Sequence, residues 1–194
     1  MYAASPALHV ANLTGLIWLR SQCTREPSEA IRLFDLQCDS AVFYGKLSDP
    51  DVDALCADLD VSLFVPRFND HTLRSALAGC SNGVTEHHPS DLELHNLAHL
   101  QTLCGACQRS LGDAVWTYRL NVATATAYQA LDHAQVVALC RSMSVAALVP
   151  RYSAADVGRI LTKPMGTRAL FAAAYETDVE STGDAVQRSA YLTR

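Results

Sequence analysis

Residues 53–77 read DALCADLDVSLFVPRFNDHTLRSAL, and residues 137–161 read VALCRSMSVAALVPRYSAADVGRIL. Leu55, Cys56, Val61, Val65, Pro66, Arg67 and Phe68 correspond in order to Leu139, Cys140, Val145, Val149, Pro150, Arg151 and Tyr152. The separation is 84 residues, and the same offset carries Leu8–Leu77 onto Leu92–Leu161 without a gap. About twenty of the seventy pairs are identical, among them Asn12/Asn96, Leu19/Leu103, Cys23/Cys107 and Tyr44/Tyr128. Chance gives only a few matches at one fixed offset. A period this long exceeds the 20–50 residues of solenoid units and suits a small domain duplicated in tandem. Such a half buries little core by itself, so the halves are expected to pack on each other as two subunits would.

Between the copies lies GCSNGVTEHHPS, rich in the residues of loops. The boundaries expected are a first repeat over 1–80, a linker over 81–91, a second repeat over 92–164, and a C-terminal helix and polar tail over 165–194.

The pattern within each repeat is helical. In ELHNLAHLQTLCGACQRSL, Leu94, Leu97, Leu100 and Leu103 recur every three residues along one face. A second helix is predicted through EAIRLFDLQCDSAVFYGKL and its counterpart DAVWTYRLNVATATAYQAL. Ser48 suits an N-cap, with Pro50 in the first turn, where a missing N–H costs nothing. After the helix DVDALCADL, or AQVVALCRSM, proline pushes its predecessor toward extended backbone, which Val and aromatic residues also prefer. A last short helix begins after Asn69-Asp70 and after Ser153. The fold class is therefore all-α, with one short extended segment in each repeat.

Composition narrows the functional classes. Half the 194 residues are apolar and 18% are charged, as in a globular domain. No apolar run reaches the roughly 20 residues that span a bilayer, and the N-terminal stretch MYAASPALHVANLTG lacks the marks of a signal peptide. Seven scattered cysteines fit reduced thiols in a cytoplasm. A net charge of −5 argues against broad nucleic-acid binding but leaves room for a local basic face. Neither a nucleophile elbow nor a phosphate loop nor a dinucleotide fingerprint is present, so no enzyme and no cofactor is expected.

His95, His99, Cys104 and Cys107 raise the question of zinc, since CGAC is a Cys-x2-Cys pair. At about 100° per residue the histidines lie within roughly 40° of each other, while the cysteines lie about 80–180° away with Leu97, Leu100 and Leu103. One helix cannot wrap four such side chains around one ion, so these are read as core cysteines and no metal is expected. His87-His88 reads as solvated linker. Asp49, Asp51, Asp53, Asp58 and Asp60 read as an exposed acidic face with no basic partner, suited to a basic protein. Arg67 and Arg151 have two readings: a salt bridge or cap between the repeats, or a matched pair of contacts to DNA phosphate or a partner. Arg159, Lys163 and Arg168 in RILTKPMGTR form a basic stretch without an acid, a thin candidate for DNA contact.

The segments NLAHLQTLCGACQRSLGDAVWTY, TATAYQALDHAQVVALC, VPRY and LSDPDVDAL resemble FlhD, the all-helical subunit of the bacterial flagellar master regulator. The resemblance spans most of each repeat at modest identity. It implies two FlhD-like units fused as an intramolecular pseudo-dimer, with Val65, Pro66, Arg67 and Phe68 meeting Val149, Pro150, Arg151 and Tyr152 near its axis as a short antiparallel ladder. It further implies a transcriptional regulator that joins a FlhC-type partner and reaches flagellar promoter DNA through that complex. A rival is an interaction module that sequesters such a partner without touching DNA. Two departures matter. Where the family has a cysteine able to bridge the dimer, this chain has Leu63-Phe64 and Ala147-Leu148. The family's basic tail is replaced by ETDVESTGDAVQRSAYLTR, with four acids and two arginines.

Overall fold

A computed structural model describes residues 6–80, 88–169 and 171–172. The first half holds α1 (Pro6–Arg25), α2 (Pro27–Phe34), α3 (Cys38–Gly45), α4 (Asp49–Asp58), β1 (Phe64–Pro66) and α5 (Asp70–Gly79). The second holds α6 (Asp91–Arg109), α7 (Leu111–Tyr118), α8 (Val122–Gln129), α9 (His133–Ser142), β2 (Leu148–Pro150) and α10 (Ala154–Leu161). The protein is mostly helical, with one two-stranded sheet. Among the described residues no helix is long and apolar enough to cross a membrane.

Local chemistry sets most of the helix starts. Ser48 accepts from the Asp51 N–H while the Asp51 carboxylate accepts from the Ser48 N–H, and Pro50 occupies the first turn. Asn69 with Thr72, Ser90 with Glu93, Asp132 with Gln135 and Ser153 with Asp156 form the same reciprocal pair. Each pair satisfies two backbone donors that a helix start would otherwise leave open.

The predicted second helix is not continuous. In the first half it breaks into α2 and α3, and in the second into α7 and α8. Asp35 (φ 57°) and Arg119 (φ 53°) end α2 and α7 in the left-handed region. Neither is glycine or asparagine, the residues that favour this turn, so composition gave no sign of the break.

Both halves contribute to one apolar core, which includes Leu19, Phe34, Leu55 and Phe64 from the first and Leu103, Tyr128, Leu139 and Ile160 from the second. Within each half the long helix packs on the three that follow: α1 on α2, α3 and α4, and α6 on α7, α8 and α9. Each closing helix crosses over, α5 packing on α8 and α9, and α10 on α3 and α4. All seven cysteines are free thiols. Burial pushes Cys23 and Cys107 up to about 11, and Cys56, Cys104 and Cys140 up to about 12. Such thiols behave as small core hydrophobes rather than nucleophiles.

Candidate functional site

The sheet joins the halves. Phe64 pairs with Pro150, Val65 with Val149 and Pro66 with Leu148, antiparallel. The central pair therefore brings together two residues that stand 84 apart in the sequence. Just beyond the ladder the Arg67 N–H donates to Ala147 O (2.9 Å) and the Arg151 N–H to Leu63 O (2.8 Å), again at matched positions. A three-residue strand gives few bonds, so the turns beside it are held from below. Asn12 Nδ2 donates to Val61 O and its Oδ1 accepts from the Leu63 N–H, while Asn96 does the same with Val145 O and the Ala147 N–H. Both asparagines are buried.

The two arginines take the structural role. Arg67 donates from Nε to Ala146 O (3.1 Å) and from Nη2 to Leu33 O (3.0 Å). Arg151 donates from Nη1 to Ser62 O (3.3 Å) and Thr117 O (2.9 Å). Their targets correspond at the same offset, and one of each pair lies in the opposite half. These bonds go to backbone carbonyls, the pattern the cap reading describes. Desolvation lowers the pKa of Arg67 from its usual value. Arg151 is buried and Arg67 half-buried, each held by these bonds.

Tyrosines lock the crossed helices. Tyr44 Oη donates to Tyr152 O (2.8 Å) and Tyr128 Oη to Phe68 O (3.2 Å). Burial pushes both phenols well above the ordinary tyrosine value, so both stay protonated donors. Sequence reading passed over Asn12, Asn96, Tyr44 and Tyr128 as to role; their identity at matched positions was the available signal.

The basic stretch is dispersed. Arg159 is exposed at the end of α10, 3.9 Å from Asp156. Lys163 Nζ lies 4.0 Å from the Phe171 ring centroid. Arg168 is half-buried and donates from Nε to Lys163 O. Of these three cations Arg159 is the exposed one, a small footprint for DNA.

The acidic face needs one correction. Asp49 is not without a basic partner: Arg20 Nη1 lies 2.7 Å from its carboxylate and also donates to Leu47 O. Asp51 is held below the usual carboxylate range by its bonds to Ser48. Asp53 and Asp60 are exposed. Of the expected linker pair, His88 is exposed and His87 lies outside the described residues, as does the polar tail from 173 onward.

α1 and α6 meet beneath the ladder. Trp18 stacks on His95 (centroids 3.9 Å) and Phe64 meets the edge of His99 (5.6 Å). A Cβ on Gly15 would stand 2.6 Å from the Phe64 ring and 2.9 Å from that of His99, so the close approach of α1 requires glycine there. Burial lowers His95 to about 2, helped by the neighbouring His99, and lowers His99 to about 4. Both rings are neutral at physiological pH. Among the described residues no group of three or more His, Cys, Asp or Glu could hold a metal ion.

No protein-family model, no curated protein and no solved structure matches the chain.

Proposed function

We propose that the chain is a tandem FlhD-like regulator. Its two repeats form an intramolecular pseudo-dimer that acts in the cytoplasm, without catalysis, in complex with a FlhC-type DNA-binding partner at flagellar or related promoters. The observation that carries the proposal is the self-pairing of Val65 with Val149, flanked on both sides by matched arginine, asparagine and tyrosine bonds. A ladder centred on repeat-equivalent residues is what a two-fold axis between two copies produces. The resemblance in the leucine, VPR and closing-helix segments supports the family assignment and its partner.

In this reading the chain is a scaffold. The partner supplies most of the positive charge, because Arg67, Arg151, Lys163 and Arg168 are engaged within the chain. That same engagement favours a second reading, in which the chain binds the partner and withholds it from DNA.

A promoter gel shift across a salt series separates the two. The protein alone, a FlhC-type partner alone and both together are compared. A tighter and more salt-sensitive shift with both is the expected result. Loss of the partner's own shift on adding this protein points to sequestration. A shift that never responds to this protein removes both readings.

A further inference from the structure

A groove of about 770 Å³ runs along α1 and α6. As α1 advances from Gly15 to Trp18, its contacts on α6 retreat from His99 to His95, so the two helices are antiparallel. The groove takes one face of each helix, at three- and four-residue spacing: Val10, Thr14 and Trp18 from α1, Asp91, His95 and Ala98 from α6, with Leu94 beside them. Val10 and Leu94 stand at matched positions of the two repeats and are 57% and 51% exposed. Soluble chains seldom leave such a continuous apolar face uncovered. Arg25 and Asp91 sit at one end of it, and neither forms an ion pair among the described residues.

A small ligand is poorly served here. Among the described residues lining the groove, the buried polar atom without a hydrogen-bond partner is His99 Nε2, which lies against Gly15, 3.1 Å from where a Cβ would stand. A second antiparallel helix pair fits the shape better, and the same pair on a second copy fits the charge. A two-fold axis running along the groove sets α1 of each copy over α6 of the other. It then places Arg25 of one copy opposite Asp91 of the next, twice, at one end of the bundle, with Leu94 in the turn beside those pairs and Val10 toward the other end. We infer that this face is a self-association surface, on which two copies of the chain close an antiparallel four-helix bundle through α1 and α6.

The inference does not depend on the partner or on DNA, and its test uses neither. Sedimentation velocity over a concentration series should give twice the chain mass. Val10→Glu and Leu94→Glu replace exposed side chains, so each should keep its helical signal and melting temperature while shifting to single-chain mass. Arg25→Glu should raise the dimer dissociation constant at least tenfold, and adding Asp91→Arg to it should restore the original value. A single-chain mass at every concentration overturns the inference, as does a dimer indifferent to both glutamate variants. A single-chain protein that takes up an apolar dye in the groove would assign that face to another occupant and overturn it equally. A dimer that responds to Val10→Glu but not to the charge swap overturns the docking orientation.

Discussion

Asn12 and Asn96 hold matched places in the two halves and make matched bonds, and so do Arg67 and Arg151. Ala11 and Gly15 hold the places matched by His95 and His99, yet nothing about these pairs is alike. The first set bonds to backbone, which is the same in both halves, so one side chain serves both. The second set fills the space where α1 crosses α6. Two large residues at the same crossing would collide, and two small ones would leave a void. Gly15 against His99 is a complementary solution that a symmetric pair could not supply. The crossing therefore differs between halves while the bonds around it agree.

The largest expected consequence of that difference is a sensitivity to acid that resides on one side of the crossing. His95 and His99 face Trp18, Phe34, Phe64 and Gly15, with no carboxylate among these contacts. Their folded values, about 2 and about 4, lie below the ordinary 6.5. Below pH 6.5 the unfolded chain binds protons that the folded chain excludes, so stability is fully present above that value and falls as pH drops toward the folded values. At about 1.4 kcal/mol per unit, two such rings amount to on the order of 5 kcal/mol lost between pH 7 and about pH 4. Urea midpoints should follow this course. The double variant His95→Phe, His99→Leu should flatten it without loss of stability at pH 7. A slope unchanged in that variant would assign the acid sensitivity to carboxylates instead.

The matched bonds give the next effect. Asn96→Ala strips the partner from the buried Ala147 N–H and from the partly buried Val145 O, and Asn12→Ala does the same to the Leu63 N–H and Val61 O. At 1–3 kcal/mol per stranded group, each variant should cost about 3 kcal/mol. The sharper test is their equality. If Asn12→Ala cost less than half as much as Asn96→Ala in chemical denaturation, the agreement between the halves would be one of geometry and not of energy. A smaller loss is expected at the crossing. Gly15→Ala forces the Phe64 and His99 rings to shift and should cost about 2 kcal/mol, in the range of modest overpacking. In an His99→Ala background part of that cost should vanish, since one of the two obstructing rings is gone; purely additive effects in the double-mutant cycle would show that Phe64 alone sets the limit.

How much of this the sequence disclosed depends on whether a feature repeats. The extended segments at Val65 and Val149 and the caps at Ser48, Asn69 and Ser153 were legible because turn chemistry and the 84-residue offset pointed the same way. The breaks at Asp35 and Arg119 were not, because a left-handed residue without glycine or asparagine leaves no mark in the composition. The targets of Arg67 and Arg151 were hidden for another reason: backbone carbonyls are present everywhere, so the sequence could offer a cap beside a salt bridge or a phosphate contact but not say which carbonyls it would hold. Arg20 with Asp49 and Trp18 with His95 were invisible to the alignment. Their counterparts, Cys104 with His133 and Thr102 with Ala11, cannot make the same contacts. The alignment thus reads what the halves share, and the groove along α1 and α6 is lined largely by what they do not.

The smallest expected effect separates two bonds that are matched in position but not in length. Tyr44 Oη reaches Tyr152 O at 2.8 Å, whereas Tyr128 Oη reaches Phe68 O at 3.2 Å. Both rings are buried, so a phenylalanine keeps the packing and removes only the hydroxyl. The carbonyl left behind differs, since Tyr44 makes its bond in a fully buried setting and Tyr128 in a partly buried one. Water can reach a partly buried carbonyl and recover some of the lost interaction, which a fully buried one cannot. Tyr44→Phe should therefore cost about 1.5 kcal/mol and Tyr128→Phe about 0.5 kcal/mol. Denaturant midpoints at unchanged slope would measure both. Because each bond ties the residue two past the strand of one half to the third helix of the other, the ranking reports which crossing is tighter. The reverse order would mean that Phe68 O has no access to water, and that the second half grips the first more firmly than the bond lengths indicate.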